Sequence, residues 1–206
     1  VNSPAATRVP VVVLASGTGS LLAAILDRAA APSSSYDVVA VAVDRDCPAG
    51  QIARDAGIPV IACALADYPD RDAWDRALTV EVGRCGPAWV VTAGFMKILG
   101  PAFLGAFAER VINSHPALLP AFPGAHGVAD ALAYGVKVTG CTVHLVDGGV
   151  DTGPILAQGV VDVLPDDTVE TLHERIKITE RDLLPTVVEA VVTRGVVTDG
   201  RKAYIP

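Results

Sequence analysis

Residues 9–31, VPVVVLASGTGSLLAAILDRAAA, decide the fold. The run 9–15 is apolar on both faces, as a strand buried inside a parallel sheet must be. Ser16-Gly-Thr-Gly-Ser20 breaks it, and residues 21–31 resume at helical spacing. The alternation continues with strands at 37–43, 58–63 and 88–93 and helices at 50–57 and 69–84. In the longer helix Pro69 suits the first turn, and Trp74, Leu78 and Val82 share one stripe. Such alternation predicts a doubly wound, parallel sheet covered by helices.

Past Leu99 the rhythm changes. A short helix at 101–108 and a brief strand at 110–113 lead into Pro116, Pro120 and Pro123, a stretch that excludes regular structure. Residues 136–146 and 154–163 read as two longer strands joined by the glycine-rich 147–153, hence an antiparallel hairpin. A final helix is expected from the capping pair Asp167 and Glu170, turning Val169, Leu172, Ile176, Leu183 and Val187 inward. A short strand is expected near 203–205. The fold class is therefore α/β: a doubly wound, mostly parallel sheet with an antiparallel C-terminal portion and a long C-terminal helix. With no internal repeat and no linker, residues 1–206 read as a single domain, 9–100 forming a nucleotide-binding-like half and 101–206 a second half.

Composition narrows the function. Of 206 residues 51% are hydrophobic and 19% charged, which excludes disorder, yet no apolar run reaches the ~18 residues of a membrane-spanning helix. A net charge of −7 without a Lys/Arg run excludes an electrostatic footprint for nucleic acid, while leaving room for a local anion site. Cys47, Cys63, Cys85 and Cys141 are far apart and form no C-x-x-C pair, so they read as reduced thiols of a cytoplasmic protein. Residues 1–10 lack the basic segment and apolar stretch of a signal peptide.

Four segments carry possible chemistry. The first is Ser16 to Ser20, whose small residues let backbone N–H groups and a helix N-terminus approach a phosphate. It matches neither the P-loop nor G-x-G-x-x-G, because Leu22 stands where the third glycine belongs; a tight turn without a ligand is the alternative. In the second, strand alternation puts Asn113 and His115 on one side, so a carboxamide and an imidazole converge as oxyanion donors, unless this is only a polar strand end. The third, residues 147–154, offers Asp147 and Asp151, one of which can meet His115 and keep it protonated; Asp147 fits an ordinary turn residue better. In the fourth, His173, Lys177 and Glu180 share a helix face, the pattern of either a solvated surface or a ligand site. His126 and His144 are isolated and read as structural imidazoles, and no Cys/His spacing points to zinc or another metal.

Together, Ser16-Gly-Thr-Gly-Ser20, Ala93-Gly-Phe-Met-Lys-Ile-Leu99, Asn113-Ser-His-Pro-Ala-Leu-Leu-Pro120, Gly140-Cys-Thr-Val-His144 and Asp151-Thr-Gly-Pro154 resemble the folate-dependent phosphoribosylglycinamide formyltransferase family, over about residues 9–195. The resemblance implies a formyltransferase fold and a purine-biosynthetic transferase. It would use 10-formyltetrahydrofolate as co-substrate and glycinamide ribonucleotide as acceptor, with no metal, no nucleic acid and no membrane partner, as a monomer or homodimer. It implies catalytic roles for Asn113, His115 and Asp151, with Asp151 holding His115 charged and relaying a proton. It assigns Gly17, Thr18, Gly19, Ser20, Lys177 and Glu180 to the ribonucleotide. Gly94, Met96, Lys97, Ile98, Leu99, Leu104, Val146 and Asp147 fall to the folate, within the second, folate-binding and catalytic half and the loop before it.

Two positions depart from the family pattern. Leu21 replaces the usual Asn after the phosphate loop, which bears on ribonucleotide affinity. Lys97 replaces the usual Arg, keeping a charge near the folate tail without a forked contact. Rival readings are the formyltetrahydrofolate hydrolase and other formyltransferases of the same fold, a nicotinamide oxidoreductase, and a non-catalytic nucleotide-binding module. The methionyl-tRNA enzyme would carry a basic C-terminal domain for which this acidic chain has no room. The oxidoreductase leaves Asn113, His115 and Asp151 unexplained.

Overall fold

The computed structural model describes residues 7–206; the first part of the segment read as lacking a signal peptide lies outside the described residues. In chain order the elements are β1 (Val9–Ala15), α1 (Ser20–Ala30), β2 (Tyr36–Val43), α2 (Pro48–Asp55), β3 (Val60–Ala62) and a 3-10 turn at Leu65–Asp67. There follow α3 (Arg71–Arg84), β4 (Trp89–Thr92), α4 (Pro101–Ala106), β5 (Val111–His115), α5 (Gly127–Tyr134), β6 (Val138–Leu145), β7 (Ile155–Asp162), α6 (Val169–Arg194), β8 (Val197–Asp199) and β9 (Lys202–Tyr204).

All the strands join one sheet of order β3-β2-β1-β4-β5-β6-β7-β9-β8. The first five are parallel, and β6 turns back against β5 and β7 against β6. The expected α/β class, with its antiparallel C-terminal portion and long last helix, is the observed one. In β1, Val11 to Ala15 are buried without a break because apolar clusters cover both faces of the sheet. On one side Val11 and Val13 meet Leu22 and Ile25 of α1 and Leu184, Val187 and Val188 of α6. On the other Val12 and Leu14 meet Trp74, Leu78 and Val82 of α3 and Phe103 of α4, as the α3 stripe required.

Element boundaries bring three corrections. Helix α3 is capped by Asp70, whose side chain accepts from the Ala73 N–H, so Pro69 precedes the helix rather than entering its first turn. Helix α6 is capped by Thr168 with Thr171 in a reciprocal box, not by Asp167 with Glu170. Asp167 is engaged instead by Arg175 and the Leu164 N–H, and Val169 is 39% exposed, not inward. Third, α5 follows the proline-rich stretch, where no helix was expected. It buries Val128 and Ala131 and stops at Gly135, which takes the left-handed conformation (φ 82°) that favours glycine. The expected strand near 203–205 is β9, paired with β8.

Candidate active site

The order of the parallel strands reverses between β1 and β4, and in such sheets a crevice opens beyond the carboxyl ends of the strands at that point. The segments that leave those two strand ends are the glycine loop and residues 93–99. Gly19 is the residue before α1, with φ 78°; a Cβ there would lie 2.7 Å from Ile52 Cδ1 and 2.9 Å from the Ala49 Cα. Only glycine fits both constraints. No side chain caps α1, so the unpaired N–H groups of its first turn are available to an anion beside exposed Gly17 and Thr18 and half-buried Ser20. Leu21 packs on the core and does not replace the family's polar side chain.

The two loops are tied together. The Met96 N–H donates to Ser16 Oγ (2.8 Å), and Lys97 Nζ lies 3.0 Å from the buried Asp44 Oδ2. Burial works to raise the Asp44 carboxyl, but hydrogen bonds from Arg45, Ser16 and Lys97 outweigh it and hold it at about 2. Lys97 thus has an internal partner in Asp44. In the same loop Gly94 is exposed, and Met96 and Ile98 are 69% and 63% exposed, an apolar presentation that packing does not require. Leu99 is core, buried with Trp74 and Phe103, while Leu104 and Val146 flank that cluster.

Beyond β5 the expected residues meet. Asn113 and His115 lie on one side of the strand, and Ser114 points to the other, where its hydroxyl donates to Glu180 Oε1 of α6 (2.6 Å). Asp151 Oδ2 lies 3.3 Å from His115 Nδ1 and accepts the Gly124 N–H (2.7 Å). His115 Nε2 is 2.8 Å from the Phe122 carbonyl, so both ring nitrogens face acceptors. Asp151 takes φ 53°, a left-handed conformation that Asp tolerates better than most residues. Burial works to raise its carboxyl, yet the neighbouring His144 imidazole, the Gly124 N–H and the His115 imidazole hold it below the usual range. Its loop turns tightly at Gly153, where a Cβ would lie 1.7 Å from the Leu145 carbonyl oxygen.

His144, read from sequence as structural, belongs to this cluster. Its Nε2 lies 3.1 Å from Asn113 Nδ2 and 3.6 Å from Asp151 Oδ1. The antiparallel register sets Asn113 directly opposite His144, and a register shift between Val143 and His144 relative to β7 falls at this point. Asp147 is the turn residue its sequence context suggested: Oδ1 accepts from the Gly149 N–H and from the Thr152 hydroxyl. On α6, Lys177 pairs with Glu174, and Glu180 is buried; burial pushes its carboxyl up against the opposing pull of Ser114, Lys177 and Arg181. His173 is half-buried, and His126 is exposed at the start of α5. Among the described residues no group of three or more His, Cys, Asp or Glu side chains is placed to hold a metal ion, and no helix is long and apolar enough to cross a membrane.

A glycine loop at a reversal of strand order and, at the end of β5, a gathered carboxamide, two imidazoles and a carboxylate are a layout suited to a group-transfer enzyme on a doubly wound sheet. Residues 9–188 match the formyl transferase family, and the chain belongs to it. It is 63% identical, over 93% of its length and 89% of the relative's, to the phosphoribosylglycinamide formyltransferase of Mycobacterium tuberculosis. The glycinamide ribonucleotide transformylase 1 of Symbiobacterium toebii superposes with a TM-score of 0.94 at 41% identity, covering 96% of this chain and 94% of that one. A formyltetrahydrofolate deformylase from Pseudomonas syringae also superposes, with a TM-score of 0.90 at 28% identity over 97% of this chain and 66% of that one.

Proposed function

We propose that the chain transfers the formyl group of 10-formyltetrahydrofolate to the amine of glycinamide ribonucleotide in purine biosynthesis. The observation that carries this reading is the contact of His115 and His144 with the Asp151 carboxylate, Asn113 lying against His144, on a sheet whose first helix has an uncapped N-terminus able to hold a phosphate. The neutral amine attacks the formyl carbon, and negative charge grows on the formyl oxygen. Asn113 Nδ2 and the imidazolium of His115 donate to that oxygen. The acceptors facing both His115 nitrogens suit its charged form, and a developing oxyanion attracts the Nε2 hydrogen more strongly than the neutral Phe122 carbonyl does. Asp151 holds His115 and takes up the amine proton through water; the tetrahedral intermediate then collapses, the bond from the formyl carbon to N10 breaks, and the same proton passes to N10 as tetrahydrofolate leaves. Residues 17–20 bind the phosphate, with Lys177 and Glu180 reaching the ribonucleotide from α6. The exposed loop at Gly94, Met96 and Ile98, with Leu104 and Val146 behind it, receives the pterin. The four unpaired thiols suit a reducing cytoplasm, and the chain acts as a monomer or homodimer on small-molecule substrates alone.

Deformylation of a 10-formyl folate analogue, followed by absorbance with and without the ribonucleotide, tests this. Turnover is expected to require the ribonucleotide and to fall by about 100-fold or more in Asn113→Ala and in His115→Ala. Ribonucleotide-independent turnover would make the chain a hydrolase, and no turnover would leave a nucleotide-binding module.

A further inference from the structure

We infer that Thr92, the last residue of β4, is a positioning residue that fixes the orientation of the Asn113 carboxamide. The inference rests on the oxyanion role proposed for Asn113. Thr92 is 5% exposed and sits directly across from Asn113 in the parallel register. Its Oγ1 is hydrogen-bonded to Asn113 Oδ1 and lies 3.3 Å from the Ile112 carbonyl.

A chain of donor and acceptor obligations sets the amide. The Leu145 carbonyl can only accept, and it lies 2.8 Å from His144 Nδ1, so that nitrogen carries a hydrogen. The NH2 end of Asn113 is turned to Nε2 at 3.1 Å, so that nitrogen accepts from the amide in preference to donating to Asp151 Oδ1, which is farther off at 3.6 Å. Oδ1 is left facing β4, where Thr92 supplies the hydroxyl that meets it. Of the two oxygens within reach of that single proton, Oδ1 is the nearer. One Nδ2 hydrogen is therefore committed to His144 and the other stays free for the formyl oxygen. Donation to Oδ1 also polarises the amide and strengthens its remaining N–H as a donor. An apolar side chain at position 92 would leave Oδ1 a buried acceptor without a partner, and the amide would gain by turning over, aiming an acceptor at a developing anion.

The test is a double-mutant cycle in steady-state formyl transfer, with folding checked by circular dichroism and thermal melting. Thr92→Val, which keeps the shape and loses the hydroxyl, is expected to lower kcat about tenfold with KM for both substrates within about twofold. Thr92→Ser is expected to restore most of kcat. In an Asn113→Ala background, Thr92→Val is expected to have no further effect. Wild-type kcat in Thr92→Val, alongside a collapsed Asn113→Ala, overturns the positioning role and leaves the role of Asn113 intact. The same fall on top of Asn113→Ala overturns it too, and wild-type turnover in Asn113→Ala sinks both. If Thr92→Val does not fold, Thr92→Ala takes its place in the cycle. The Asn113 side-chain amide protons, followed by NMR in nitrogen-15-labelled protein, are then expected to shift in the Ala variant and to hold in Thr92→Ser; no shift overturns the role.

Discussion

Glu180 is a carboxylate kept where it costs stability. Its folded-state carboxyl is raised by burial, so stability falls as pH rises through the unfolded value, and the full loss is present above the folded one. Glu180→Gln is accordingly expected to melt higher at pH 7 and to match the wild type at pH 3. It is also expected to raise KM for the ribonucleotide by about tenfold or more, because one of the two carboxyl oxygens becomes an amide donor. Asp44 behaves oppositely. With its folded value held at about 2 and its side chain fully buried, it stabilises the protein above about pH 4, and the contribution is lost as pH falls from there toward 2. Asp44→Asn should therefore cost about 2 kcal/mol at pH 7, read by urea unfolding, and little at pH 2. At this scale the sequence showed Asn113 and His115, because a two-residue spacing on a strand guarantees a shared face. It concealed His144, whose proximity comes from strand register across the sheet. Counting back along the hairpin from the Asp151 loop, and the place of His144 in the Gly140–His144 motif, were the signals that could have found it.

The end of the 93–99 loop and the start of α4 owe their shape to a neighbouring helix. Asp75 of α3 accepts three backbone N–H groups at the start of α4, from Gly100 and Ala102 at 2.8 Å and Phe103 at 3.3 Å. A Cβ on Gly100 would lie 2.5 Å from that carboxylate. Asp75→Ala leaves buried donors unpaired and is expected to cost about 2 kcal/mol or more in urea unfolding. The folate KM is expected to rise more than the ribonucleotide KM in the same variant, since the glycine loop touches this segment only through the Met96 N–H on Ser16. Most of the elements were legible from periodicity and punctuation. Helix α5 was not, because three prolines drew the whole stretch toward irregular structure, although Gly135 carried a helix-stop signal. The α6 cap falls one residue later than read because Asp166-Asp167-Thr168 offers competing caps, and Arg175 claims Asp167.

At the scale of the whole molecule, one apolar cluster takes side chains from β1, β2 and α1 and from β6 and α6. Glu189 near the end of the chain also receives the Ser35 N–H and pairs with Arg28. Neither half of the sequence encloses that cluster alone. Urea unfolding is therefore expected to show one transition by both fluorescence and circular dichroism, and residues 1–100 expressed alone are expected to show none. The parallel half was readable because each strand and helix announces itself locally. The meeting of the halves was not, since α6 reaches β1 through packing that no short stretch of sequence encodes. That topology sets a timetable for the growing chain. The glycine loop and the strands that support it leave the ribosome early, whereas Asp151 and Glu180 come last and complete a site whose contacts join residues far apart in sequence. Because α6 completes the cluster on which β1 and α1 rest, the glycine loop, though first to emerge, waits for the same late helix that brings Glu180, and the two ends of the site take shape together.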